Sequence, residues 1–161
     1  MSNITQRKQD HIDAVLNDPL VERKQSEFDT LRLMHRALPE INFSEVDSST
    51  IFLGSPISFP FLIASMTGGA AKNLQHINQH LAEAAEICQV PMAVGSQRAM
   101  MLDKAAAESF NLRQYAPNVP LIANIGAVQL NYGFGYDEAQ RAVETLQADA
   151  LYLHLNPLQE R

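Results

Sequence analysis

The chain has a single cysteine, Cys88, so no internal disulfide can form, and a reducing, cytoplasmic setting is expected. It has no basic excess. Twelve Lys and Arg stand against 18 Asp and Glu, a net charge of −6. A general nucleic-acid binder carries the opposite balance. An anionic ligand must then be drawn by a local cationic cluster and not by the field of the whole protein. No apolar run approaches the ~18 residues of a membrane span. Residues 1–10 are polar and lack the apolar stretch of a secretory signal. Low-complexity segments are absent, as is any repeat beyond a recurring order of elements. The expected partners are small molecules, with no role for nucleic acid or membrane.

Two regions differ in texture. Residues 1–50 are polar and poorly periodic, and read as an N-terminal arm. Thr5 to Asn17 is expected to be a short helix with Ile12, Val15 and Leu16 on one side. It stops at Asn17-Asp18-Pro19, because the residue before proline avoids the α region. Phe28, Leu31, Leu33 and Met34 are expected to form a small apolar anchor, and Ala37 to Ser49 a loop.

From residue 51 to 161 the pattern becomes regular. Ile51-Phe52-Leu53 and Ile57-Ser58-Phe59 flank a Gly54-Ser55-Pro56 turn, a predicted hairpin. Pro60 to Ser65 is a short apolar run ending near Gly68-Gly69, and reads as a buried strand. Lys72 to Gln89 has Leu74, Ile77, Leu81, Ala84, Ala85 and Cys88 at helical spacing. The unit then recurs. Strands are predicted at Pro91–Val94, Pro120–Ile125 and Ala150–Leu155, and helices at Asp103–Tyr115 and Asp137–Gln147. Asp137-x-x-Gln140 resembles a capping box. Strands alternating with helices every ~30 residues indicate an α/β fold with a parallel sheet. Four βα units look like the first half of a (β/α)₈ barrel, which needs about 250 residues when complete. A small open doubly wound sheet is the alternative.

In each unit the informative polar residues follow the strand, at the edge where α/β folds place their sites. Met66-Thr67-Gly68-Gly69 brings two glycines, which let backbone N–H groups approach a ligand; a tight βα turn needs the same residues. Gly95-Ser96-Gln97-Arg98 offers a hydroxyl and a guanidinium fork suited to phosphate, or a helix cap beside a surface arginine. Asn124 ends an apolar run, so its amide is desolvated and must bond to the backbone or to a ligand. If His154 and Asn156 share a strand face, both point into the interior. Gln159 both donates and accepts, and Glu160 is a hard oxygen ligand suited to Mg²⁺; a solvated chain end also explains these residues. Arg7, Lys8 and His11 fall on one face of the first helix. Such a face holds a diphosphate through charge-assisted hydrogen bonds, or is simply solvated.

The joint pattern is more specific than its parts. Arg7-Lys8-Gln9-Asp10-His11, Met66 to Gly69, Ala93-Val94-Gly95-Ser96-Gln97-Arg98, Asn124-Ile125-Gly126 and His154-Leu155-Asn156-Pro157-Leu158-Gln159-Glu160 occur in the order seen in one family. From about Gln6 onward the chain resembles the type 2 isopentenyl-diphosphate isomerases, flavin-dependent (β/α)₈ enzymes of isoprenoid biosynthesis. The resemblance implies FMN, working in its reduced form, with NADPH as reductant and Mg²⁺ as metal. It implies that Arg7, Lys8 and His11 bind the substrate diphosphate. It implies that Met66, Thr67, Gly68, Ser96 and Asn124 contact FMN, and that Ser96, Gln97 and Arg98 border the substrate. Gln159 would lie by the reacting carbons and contact the substrate, His154 would support the substrate side of the pocket as the second catalytic residue, and Glu160 would hold the metal. The implied reaction is a 1,3-allylic proton shift between isopentenyl and dimethylallyl diphosphate. At 161 residues the chain is expected to be an N-terminal portion of such a barrel, binding FMN weakly and not turning over alone. Its open sheet edges favour a homo-oligomer. Two other readings stand beside this one: an FMN barrel of the α-hydroxy-acid oxidase kind, and a non-catalytic half-barrel that associates with itself.

Overall fold

A computed structural model of the chain describes residues 10, 12–20, 27–66, 68 and 72–155. Residues 12–17 are helical (α1). The turn that follows is closed by Asp18, whose N–H donates to Ala14 O at 2.9 Å. Residues 27–49 are mostly irregular, with single 3₁₀ turns at Glu27–Thr30 and Phe43–Glu45. The predicted apolar anchor is not formed. Phe28, Leu31, Leu33 and Met34 are all exposed, Leu33 to 94%. The segment makes no amphipathic element, so its apolar residues have no common face to bury.

The hairpin pairs β1 (Thr50–Phe52) with β2 (Ser55–Ile57). Its turn is Leu53-Gly54, one position earlier than expected. Both residues have positive φ, +50° and +79°. That is the two-residue turn whose twist matches paired strands. Ser55 and Pro56 are thereby drawn into the second strand.

The main sheet is parallel, in the order β3 (Met92–Ala93), β4 (Leu121–Gly126), β5 (Ala150–His154). The strand predicted at Pro60–Ser65 contributes one parallel bridge, Ile63 to Met92. Its N–H donates to Pro91 O and its carbonyl accepts from Ala93 N, both at 2.9 Å. The register is regular: Met92 lies 29 residues after Ile63, Leu121 29 after Met92, and Ala150 28 after Ile122.

α2 (Lys72–Cys88) and α4 (Tyr136–Leu146) match their predicted positions closely. Each ends on a glutamine in the left-handed region, Gln89 at φ +52° and Gln147 at φ +51°. The next N–H then reaches back five residues, Val90 to Ala85 O and Ala148 to Val143 O. This is the Schellman closure, made here without glycine. The start of α4 departs from expectation. Gly135 N–H donates to the Glu138 carboxylate at 2.7 Å, so the box-like contact lies two residues before Asp137-x-x-Gln140.

The helix predicted at Asp103–Tyr115 does not form. α3 (Arg98–Leu102) is one short turn, and a 3₁₀ helix covers Lys104–Phe110. Asp103 is the N-cap of that 3₁₀ segment: it is extended at φ −139°, ψ 114°, and its carboxylate accepts Ala105 N–H at 2.9 Å. The segment ends at Asn111, whose backbone leaves the helical region at φ −82°, ψ 69°.

One core unites the helices with one face of the sheet. Ala82, Ala85, Met100, Phe110, Ala142 and Leu146 pack with Leu121, Ala123 and Ile125 of β4. A doubly wound sheet covers both faces with helices; among the described residues they cover one. Side chains alternate along a strand, so Ile122, Asn124 and Gly126 stand on the other face.

The N-terminal end of the sheet is tied by two polar knots. Arg113 donates to Ala116 O (3.1 Å), Val119 O (2.9 Å), Gln147 O (2.6 and 3.2 Å) and Asp149 Oδ2 (2.7 Å). Asp149 Oδ2 also accepts Leu121 N–H at 2.8 Å. Glu86, near the end of α2, accepts Asn118 Nδ2 at 2.6 Å and Asn118 N–H at 3.0 Å. Burial alone would raise the Glu86 carboxyl. Hydrogen bonds from Asn118, Gln89 and the Val119 N–H outweigh it and hold the group below the ordinary carboxylate range.

Candidate functional site at the C-terminal edge of the sheet

The opposite end of the sheet is arranged differently. Asn124 is only 3% exposed, on the face turned away from the helices. Its Oδ1 is buried and has no hydrogen-bond partner among the described residues. A buried acceptor without a donor costs about 1–3 kcal/mol, so this atom marks a place where a ligand donor fits.

The neighbouring loops converge at this level. Asn124 is in register with Tyr152, and Gly126 with His154. In a parallel sheet those partners rise from one face, so the hydroxyl of Tyr152 and the imidazole of His154 share the side of Asn124. Both side chains are exposed. Tyr152 was not singled out from the sequence; stepping back two residues from His154 along the strand would have found it.

Gly68, in the first βα loop, is buried with φ +148°. A Cβ there would stand 2.4 Å from the Phe110 ring. Glycine is required twice over, by its backbone conformation and by close approach of the ring. Phe110, itself fully buried, thus packs against Gly68. Met66 lies just before it and is 47% exposed. Ser96 is half-buried, and its Oγ accepts Arg98 N–H in a long 3.4 Å bond. Arg98 is exposed and makes no ion pair among the described residues.

Gln97 is placed otherwise than expected for a substrate contact. It is fully buried, and both ends of its amide are taken by protein groups. Arg7, Lys8, His11, Thr67, Gln159 and Glu160 lie outside the described residues. Among the described residues, no three His, Cys, Asp or Glu side chains are grouped to hold a metal. None of the described helices is long and apolar enough to cross a membrane.

The structure therefore brings Asn124, Tyr152 and His154 to one sheet face, with Met66, Gly68 and the Gly95–Arg98 loop following the neighbouring strands. A buried acceptor and two exposed polar rings suit a hydrogen-bonding ligand. Residues 2–121 match the model of the FMN-dependent dehydrogenases. The chain belongs to the FMN-dependent dehydrogenase family. That family has a TIM-barrel-like α/β fold; among the described residues the sheet is open and forms no closed barrel. Several curated relatives carry a more specific name. The isopentenyl-diphosphate delta-isomerase of Hydrogenovibrio crunogenus is 67% identical over 159 residues, covering 99% of this chain and 46% of the relative. Its namesake from Paracoccus zeaxanthinifaciens is 55% identical over 158 residues, covering 98% and 45%. That of Pseudescherichia vulneris is 51% identical over 160 residues, covering 98% and 46%. The chain spans about half the length of these relatives.

Proposed function

We propose that this chain carries the first four βα units of a type 2 isopentenyl-diphosphate isomerase, with FMN at the C-terminal edge of its sheet. The observation that carries the reading is the buried, unpartnered Oδ1 of Asn124, in a family of FMN proteins. Asn124, Ser96, Met66, Thr67 and Gly68 would hold the flavin. When bound and reduced by NADPH, the flavin supplies the acid–base chemistry for adding and removing a proton on an unactivated alkene. The chain's own residues bind and orient. Arg7, Lys8 and His11 hold the diphosphate, with Arg98 and Ser96 at its border. Glu160 holds Mg²⁺ against the same charge. Gln159 and His154 flank the reacting carbons. Anchoring the diphosphate lets its binding energy position the alkene. A cytoplasmic homo-oligomer completes the reading.

The test joins this chain to the remainder of the Hydrogenovibrio crunogenus relative and supplies isopentenyl diphosphate, FMN, NADPH and Mg²⁺. Dimethylallyl diphosphate is the expected product, and Gln159→Ala and Glu160→Ala should each abolish it. Reduction of FMN by a 2-hydroxy acid, with no isomerisation, would replace this reading with the oxidase one.

A further inference from the structure

β3 leaves the sheet early. It pairs with β4 only through Met92 and Ala93, and Val94 N–H adds one more bond to Ile122 O at 3.1 Å. Two residues further along β4, the N–H and C=O of Asn124 face the place where β3 would have continued. Both are met by Gln97. Its backbone N–H donates to Asn124 O at 2.8 Å, and its Oε1 accepts Asn124 N–H at 3.0 Å. Its Nε2 donates to Ala142 O of α4 at 2.9 Å and lies 3.7 Å from Met100 Sδ. A side-chain amide thus takes the place of a ladder carbonyl. The loop holding Ser96 and Arg98 can diverge without leaving the Asn124 peptide unpaired.

We infer that Gln97 is a positioning residue: it fixes the Asn124 peptide, and through it the direction of the unpartnered Oδ1, relative to α4. It acts through Asn124 and does not touch the ligand itself. The inference rests on the proposed FMN site only for its consequence. The clamp itself is independent of any ligand.

Amide exchange followed by NMR on this chain tests the clamp. In Gln97→Met, which keeps the bulk but neither polar end, Asn124 N–H should exchange about tenfold faster relative to Leu121 N–H. A merely structural role would move the two together, because Leu121 N–H is held by Asp149 at the other end of the strand. Titration of FMN, read on the Asn124 side-chain amide resonance, should show a dissociation constant raised about tenfold in the same variant. Gln97→Glu supplies the rescue. Its protonated carboxyl accepts from Asn124 N–H and donates to Ala142 O as the amide does, whereas the ionised form has no hydrogen for Ala142 O, and repulsion between the two oxygens drives the side chain off the clamp. Asn124 protection and FMN binding should therefore recover as pH falls through the titration of that carboxyl. If Gln97→Met does not fold, the pH series on Gln97→Glu decides alone. Unchanged Asn124 exchange in a folded Gln97→Met, or a Gln97→Glu variant indifferent to pH, would overturn the inference. An unmodified chain that shows no FMN response would count against the proposed site, and the exchange measurement would still decide the clamp.

Discussion

At the N-terminal end of the sheet, Arg113 directs five hydrogen bonds at three carbonyls and a carboxylate, and Glu86 ties down Asn118. At the C-terminal end, a few residues away along the same strands, Asn124 buries an acceptor that nothing described satisfies. One end has its polar groups paired, and the other holds one in reserve. Pairing stabilises the fold; the unpaired acceptor costs stability and gains a use only when a donor arrives. α/β folds divide labour in this way, with sites at the C-terminal edge of the strands.

Substitutions at the two ends should therefore behave oppositely. Arg113→Ala should have the largest effect on stability, a loss of about 2–4 kcal/mol in urea unfolding, because it strands several carbonyls at once. Gly68→Ala is expected to cost about 1–3 kcal/mol, from strain at positive φ and overlap with the Phe110 ring. Adding Phe110→Leu should make the pair less unstable than the sum of the singles, which a double-mutant cycle by thermal unfolding reads directly. Glu86→Gln should cost well under about 1 kcal/mol at neutral pH, since solvent screens this group. Its sign is set by the lowered carboxyl. The stabilisation is full above the ordinary carboxylate range and is lost as pH falls through the folded-state titration. The unmodified chain should thus lose more stability on acidification than Glu86→Gln, as an acid titration of unfolding midpoints would show. Asn124→Leu should have the smallest effect, near neutral in the same unfolding measurement, because its Oδ1 bonds to nothing described. A large loss there would remove the distinction between the two ends.

The sequence was a good guide where the signal is local. α2 and α4 were legible because their apolar residues repeat at helical spacing, and the three parallel strands because short apolar runs end at polar or glycine residues. Asn124 was legible as a desolvated amide at a strand end. Other features depend on partners far along the chain. Gln97 reads as a loop residue until Ala142, 45 positions later, is found beside it. Arg113 gave no sign of its role, since its Gln147 and Asp149 partners lie 34 and 36 residues away. The helix expected at Asp103–Tyr115 starts where Asp103 caps it but runs only as a 3₁₀ segment and ends at Asn111. The strand at Pro60–Ser65 shrank to one bridge, and the apolar residues near Leu33 found no surface among the described residues.

The near-constant register of 28 or 29 residues between neighbouring strands bears on how the molecule is built in time. Each strand pairs with the one made just before it, so every step closes a loop of almost the same length and incurs almost the same entropy. Among the described parallel strands, neighbouring partners lie no more than 29 residues apart. As the chain leaves the ribosome, the sheet can lengthen one strand at a time, each finished edge serving as the template for the next.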